Sequence, residues 1–211
     1  RRRPHQNDLR LEDDAAAAEA GESPGPGRAG DAARAVEDAF HGRSSGLDPA
    51  VVAHEVPVLR SGEGRDEAVA WGARGLDVVV AVTPGSRSTA RAVARVASFA
   101  AGDPGRFSAM LRDACGAAAE VAAVVRGTGD LSGRPLSRNQ ALLAELGLSS
   151  SSIEVLIDAM TGAGAEDAKL SGAGIAGAVV AIVRIDRVDA VLQAARAAGA
   201  VDAFPAGLAR P

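Results

Sequence analysis

The 211-residue sequence contains no tyrosine, one tryptophan (Trp71) and four phenylalanines. A core built with so few rings must be filled by many small and branched side chains. Each buries little area, at roughly 25 cal/mol per Å², so stability has to come from close backbone approach. The lone Cys115 excludes an internal disulfide and a multi-cysteine metal site. No excess of basic charge is present: the formal net charge is −4, which argues against a nucleic-acid partner. No apolar run reaches the roughly 18 residues of a membrane span. Three arginines open the sequence with no apolar stretch behind them, which is not the pattern of a secretory leader. Hydrophobic residues nevertheless make up 47% of the chain, enough for a real core. These features point to a cytoplasmic protein with neither membrane nor nucleic acid as partner.

Residues 1–27 are polar and end in "GESPGPG", which reads as a disordered or linker segment. Helical spacing of Ala29, Ala32, Ala33, Val36 and Phe40 predicts a helix that Gly42 stops. The loop "HGRSSGLD" (41–48) follows, then a short helix from Pro49, a strand over "EVPVLR" (55–60) and a turn at "SGEG". "LDVVVAV" (76–82) is a continuous β-branched run, the pattern of a strand buried on both faces. Helices are predicted after Ser86, from Pro104 with Asp103 as cap, over 136–146, and from Ser151 with Glu154 completing a capping box. The helix after Pro104 carries Phe107, Met110, Leu111, Ala114, Cys115, Ala118, Val121, Ala122 and Val125 at helical offsets. Ile153, Leu156, Ile157 and Met160 share one face of the helix after Ser151. Strands "AKLS" (168–171) and "AVVAIVR" (178–184) flank "GAGIAG". Asp186 can cap a last helix carrying Val188, Val191, Leu192 and Ala195, and "VDAF" closes the order. Helices segregated from a few strands make the class α+β, a split sheet with helices packed on one face.

Three stretches can carry chemistry. In "KLSGAGIAG" (169–177) the glycines serve either a tight strand-to-strand turn or the approach of bare N–H groups to an anion. Lys169, just before the turn, could point either way. Asp48 directly before Pro49 reads as a helix N-cap. A carboxylate is also favoured at a helix N-terminus, which suits a residue that pulls on an alcohol proton. His41 reads as a residue closing the preceding helix, and Glu37, one turn earlier, as a solvated position. In "PGSRSTARA" (84–92), Ser86, Ser88 and Thr89 can cap a helix or leave its N–H groups to hold an anion.

In order and spacing, these stretches resemble the GHMP kinases and, within them, the mevalonate kinases. Residues 41–48 fit the "HG-x-x-SG-[IVL]-D" loop at every fixed position. Glu37 stands where the family has a helix glutamate, "RSTAR" (87–91) where it has its "ST" helix start, and "NQALLAELGLS" (139–149) before "KLSGAGIAGA" where it has "KLTGAGGGGC". The resemblance covers roughly residues 30–205. It implies phosphoryl transfer from ATP, with Mg²⁺, to a small alcohol, mevalonate being favoured by the loop. Asp48 would be the base or orienting carboxylate and Glu37 the Mg²⁺ ligand. His41, Ser45 and Thr89 would belong to the active-site or substrate region, and Gly172, Ala173 and Gly174 would face the phosphates. Such chemistry asks mainly for positioning and charge neutralisation.

The family's "P-x-x-x-GLGSSA" phosphate loop has no counterpart here, and Ile175 and Ala176 replace two glycines of the third motif. The expected organisation is therefore a linker (1–27), a remnant of the kinase N-terminal domain (28–75) and a GHMP kinase C-terminal domain (76–211) with a ferredoxin-like split sheet. Alone, such a chain is expected to turn over mevalonate at a trace at most, to bind magnesium-nucleotide weakly and to self-associate as a homo-oligomer through its exposed apolar face. Two other readings stand beside this one: an inactive GHMP-kinase homologue serving as a binding or assembly module, and another GHMP enzyme such as a phosphomevalonate kinase or a decarboxylase.

Overall fold

A computed structural model describes residues 35, 46–54, 56–60, 66–85, 89–172, 174 and 177–208. Of the helix expected over 29–40 only Ala35 is described, and it is helical. The turn at 61–64 and the capping serines Ser86 and Ser88 lie outside the described residues. The chain divides into two compact units between Ala70 and Trp71.

The described part of the first unit holds helix α1 (Leu47–His54) and two short strands, β1 (Val58–Arg60) and β2 (Asp66–Ala68). The strands pair antiparallel from Val58↔Ala68 to Arg60↔Asp66. The Arg60 guanidinium donates to both Asp66 carboxylate oxygens, at 2.6 and 2.7 Å, and to the Gly46 carbonyl at 2.9 Å. One side chain thus ties the ribbon to the turn that starts α1.

The second unit runs β3 (Leu76–Val82), α2 (Thr89–Gly102), α3 (Pro104–Val125), α4 (Pro135–Glu145), α5 (Ser151–Gly162), β4 (Ala165–Ser171), β5 (Ala178–Arg184), α6 (Val188–Ala197) and β6 (Asp202–Pro205). This is the expected order of strand, four helices, two strands, helix, strand. The sheet order is β4-β5-β3-β6 and every pair is antiparallel. The unit's first strand is therefore central and its last two lie on either side of it, which is the ferredoxin-like split arrangement of an α+β fold.

Helices α5 and α6 pack on one face of this sheet. Ile153, Leu156 and Met160 of α5 and Val191 and Ala195 of α6 meet Val79, Ala81, Leu170, Val179 and Val183, all fully or almost fully buried. The strand β3 is not buried on both faces, as its unbroken apolar run suggested. Val79 and Ala81 are fully buried, while Val78, Val80 and Val82 are half-buried. An antiparallel sheet with its helices on one side recovers alternation even where the sequence shows none.

Three further expectations shift. Helix α3 buries Met110, Ala117, Val124 and Val125, whereas Leu111, Cys115 and Ala118 are exposed. An alanine-rich helix has small side chains all round, so its period leaves the buried stripe poorly specified. Asp103 does cap α3, its Oδ1 accepting from the Arg106 N–H at 2.8 Å. Ser151 and Glu154 form no capping box, because α5 is preceded by Ser150 without a side-chain cap. Glu154 instead accepts from the Ser149 hydroxyl and from Gln140 Nε2. Asp186 lies in a 3₁₀ turn, Ile185–Arg187, and pairs with Arg184 at 3.2 Å, so it does not cap α6.

Candidate active site

In the first unit, the described end of the "HGRSSGLD" loop is a helix start. Gly46 adopts φ +71°, a left-handed conformation that favours glycine. Its carbonyl accepts from the Ala50 N–H at 3.3 Å, so Gly46 occupies the cap position. Asp48 is therefore inside the first turn of α1 instead of being its N-cap, with Pro49 following it within that turn. Its carboxylate is exposed, at the positive dipole end of the helix. Glu37, His41 and Ser45 lie outside the described residues.

In the second unit, β4 and β5 form a hairpin whose last pair is Ser171↔Ala178. The connecting residues are the glycine-rich stretch. Gly172 is exposed with φ +88°, and Gly174 is buried with φ +89°. The two glycines answer different demands. A methyl group on Gly174 would overlap the Leu148 carbonyl oxygen, so glycine there is needed for packing against the α4–α5 connection. Gly172 presents a left-handed backbone to solvent, as anion-binding turns do. Ala173, Ile175 and Ala176 lie outside the described residues. The far end of the turn is pinned by Thr83, just after β3. The Thr83 N–H and hydroxyl both donate to the Gly177 carbonyl, at 2.9 and 3.1 Å, and the hydroxyl accepts from the Gly177 N–H at 2.7 Å.

Strand β4, which delivers this turn, is held along its edge by α4. Asp167 is fully buried, and its carboxylate accepts from the Leu136 N–H at 2.7 Å, the Ser137 N–H at 2.9 Å and the Ser137 hydroxyl. It caps α4 from a distant strand, offsetting the orphan donors of the helix start. One turn along α4, Gln140 accepts from the Leu170 N–H at 2.9 Å and donates to Ser149 and Glu154. Both supports escaped sequence reasoning. Asp167 fell just outside the expected strand, and with Glu166 before it and Lys169 two residues on it looked like one more solvated charge. Lys169 lies between them on β4, half-buried, and burial pushes its pKa down. Thr89 is the first residue of α2 and is exposed.

Among the described residues no three His, Cys, Asp or Glu side chains converge to hold a metal ion. No described helix is long and apolar enough to cross a membrane. The exposed left-handed Gly172 backbone fits an anionic phosphate; the implied Mg²⁺ ligand, Glu37, is not among the described residues.

Residues 119–201 match the family described as GHMP kinases C terminal. The chain belongs to the GHMP kinase family. It is 35% identical over 147 residues to the mevalonate kinase of Aeropyrum pernix, covering 68% of this chain and 45% of that protein. It is similar to the crystal structure of L. major mevalonate kinase in complex with R-mevalonate, with a TM-score of 0.72 at 25% identity over 87% of this chain and 58% of the other. The crystal structure of Methanococcus jannaschii mevalonate kinase shares the fold, with a TM-score of 0.70 at 16% identity over 90% of this chain and 58% of the other. The chain thus spans about half the length of the relatives it matches.

Proposed function

We propose that this chain carries the acceptor-facing and phosphate-facing elements of a mevalonate kinase, which transfers a phosphoryl group from ATP to the 5-hydroxyl of mevalonate in the supply of isoprenoid precursors. The observation that carries this reading is Asp48. An exposed carboxylate stands in the first turn of a helix, two residues after a left-handed glycine, at the end of a loop that fits the family pattern at each fixed position. The similarity to the Aeropyrum pernix mevalonate kinase supports the choice of acceptor.

In this reading Asp48 orients the acceptor hydroxyl and draws its proton as the new P–O bond forms. His41, Ser45 and Thr89 carry the active-site or substrate roles that the family pattern implies for them. Gly172 offers its exposed backbone N–H to the phosphates, and Gly174, buried against Leu148, holds the turn in place. Glu37 would supply the hard oxygen ligand that Mg²⁺ requires. When bound, ATP would supply the phosphoryl group and Mg²⁺ would neutralise its charge. Residues 28–75 then belong to the kinase's first domain and 76–211 to its C-terminal domain.

The test is a coupled ADP-release assay on the purified protein, with mevalonate and phosphomevalonate offered separately. At most trace turnover of mevalonate is expected of this chain alone, and Asp48→Asn, which removes the positioned general base, should abolish it with an unchanged melting temperature. Equal turnover by a folded Asn variant would remove Asp48 from the mechanism. Turnover of phosphomevalonate alone would reassign the acceptor.

A further inference from the structure

Lys169 carries a charge that the described residues leave uncompensated. Among the described residues its ammonium makes no hydrogen bond and no ion pair, although the residue is only half exposed. Its cross-strand row offers no counter-charge: Lys169 pairs with Val180, Val180 with Val80, and Val80 with Phe204. Asp167, two residues earlier, commits its carboxylate to the donors at the start of α4. Burial lowers the Lys169 pKa. A partly desolvated ammonium without a partner costs stability, and here it sits three residues before Gly172. Strand alternation puts Lys169 on the same face of β4 as Ser171, the last residue before the turn.

We propose that Lys169 is an anion-contacting residue of the glycine turn, its counter-charge supplied by a phosphate group of the bound nucleotide. This rests on the reading of the Gly172 turn as a phosphate site and assigns that site its cation. The turn contributes neutral N–H donors, and the strand that delivers it contributes the charge. Charge-assisted contacts of this kind are about twice as strong as neutral ones. A residue kept for this purpose should weaken the empty fold and strengthen the liganded one.

Three proteins, wild type, Lys169→Met and Lys169→Arg, test this by thermal denaturation and calorimetry with inorganic tripolyphosphate as the probe. Without the probe, Lys169→Met is expected to melt above wild type. With it, the dissociation constant of the Met variant should rise about tenfold to a hundredfold, the loss of one charge-assisted contact, and Lys169→Arg should retain most of the binding. A Met variant that melts below wild type would mean that the ammonium has a partner within the fold, and would overturn the proposal. A Met variant with wild-type tripolyphosphate affinity would overturn it while leaving the turn as a phosphate site. A wild-type protein that does not respond to tripolyphosphate would refute the phosphate reading of the turn, and this assignment with it. Should Lys169→Met fail to fold, Lys169→Gln replaces it with the same expected outcomes.

Discussion

Replacing Asp167 tests whether the glycine turn depends on a support outside its own motif. The carboxylate is fully buried and accepts from two backbone N–H groups of α4, at 2.7 and 2.9 Å, and from the Ser137 hydroxyl. It also accepts from the Ala168 N–H at 3.1 Å. Asp167→Asn keeps the volume and one acceptor oxygen but turns an NH₂ group toward donors. Hydrogen bonds to charged groups contribute about 1.5–3 kcal/mol each, and a buried donor left unpaired costs about 1–3 kcal/mol. Some of the donors can turn to the remaining oxygen, so the net loss should be roughly 2–4 kcal/mol by the same figures. For a protein of this size, about 2–4 °C per kcal/mol puts the fall in melting temperature at roughly 5–15 °C. Ser137→Ala, which removes one donor and leaves the charge capped, should cost only about 1 kcal/mol. Urea denaturation of the three proteins measures both differences. An Asn variant within about 0.5 kcal/mol of wild type, the usual range of a surface change, would refute the argument that this carboxylate fastens β4 to α4.

Gly174→Ala should destabilise by roughly 2–5 kcal/mol, combining about 1–2 kcal/mol for a left-handed residue with a side chain and about 1–3 kcal/mol for displacing the Leu148 backbone. A urea midpoint equal to wild type would show that the α4–α5 connection is not packed against the turn. Arg134 has φ +46° at the exposed start of α4 and is the sole described non-glycine residue with positive φ. Arg134→Gly should therefore raise stability by about 0.5–1 kcal/mol, the left-handed penalty less the added unfolded-state entropy of glycine. A lower melting temperature would mean that the Arg134 side chain contributes more than its backbone costs.

What was legible in the sequence follows the range of the forces involved. Strands β3 and β5 have the bounds read from their β-branched runs, 76–82 and 178–184, because both continuous apolar segments pair in the centre of the sheet. Asp103 and Pro104 marked the start of α3, since capping acts within one turn. Helix α5 buries the face expected of it, Ile153, Leu156, Ile157 and Met160, because large side chains stand on one side only. By contrast, β2 has the sequence Asp-Glu-Ala and no strand propensity; pairing with β1 and the Arg60–Asp66 bridge hold it in place. Strand β4 begins three residues earlier than expected, because Glu166 and Asp167 read as solvated charges although Asp167 is fully buried in the strand.

The same distinction divides the candidate site. Residues expected to face a ligand come in short runs, such as Gly46 to Asp48 or Gly172 to Gly174, where spacing along the chain is itself the signal. The groups that hold those runs do not: Asp167 reaches Leu136 across 31 positions, Gln140 reaches Leu170 across 30, and Thr83 reaches Gly177 across 94. No periodicity reports a hydrogen bond of that span, so each of these residues looked ordinary in the sequence. The glycine-rich stretch shows why a motif can mislead even where it is correctly located. Its glycines read as one anion-binding feature, yet Gly174 is buried against Leu148 and only Gly172 turns its backbone outward. A substitution at Gly174 would therefore reduce phosphate affinity by moving the turn, and one at Lys169 by removing charge from a turn left in place. Measuring fold stability alongside binding separates the two, because the first change lowers stability and the second raises it.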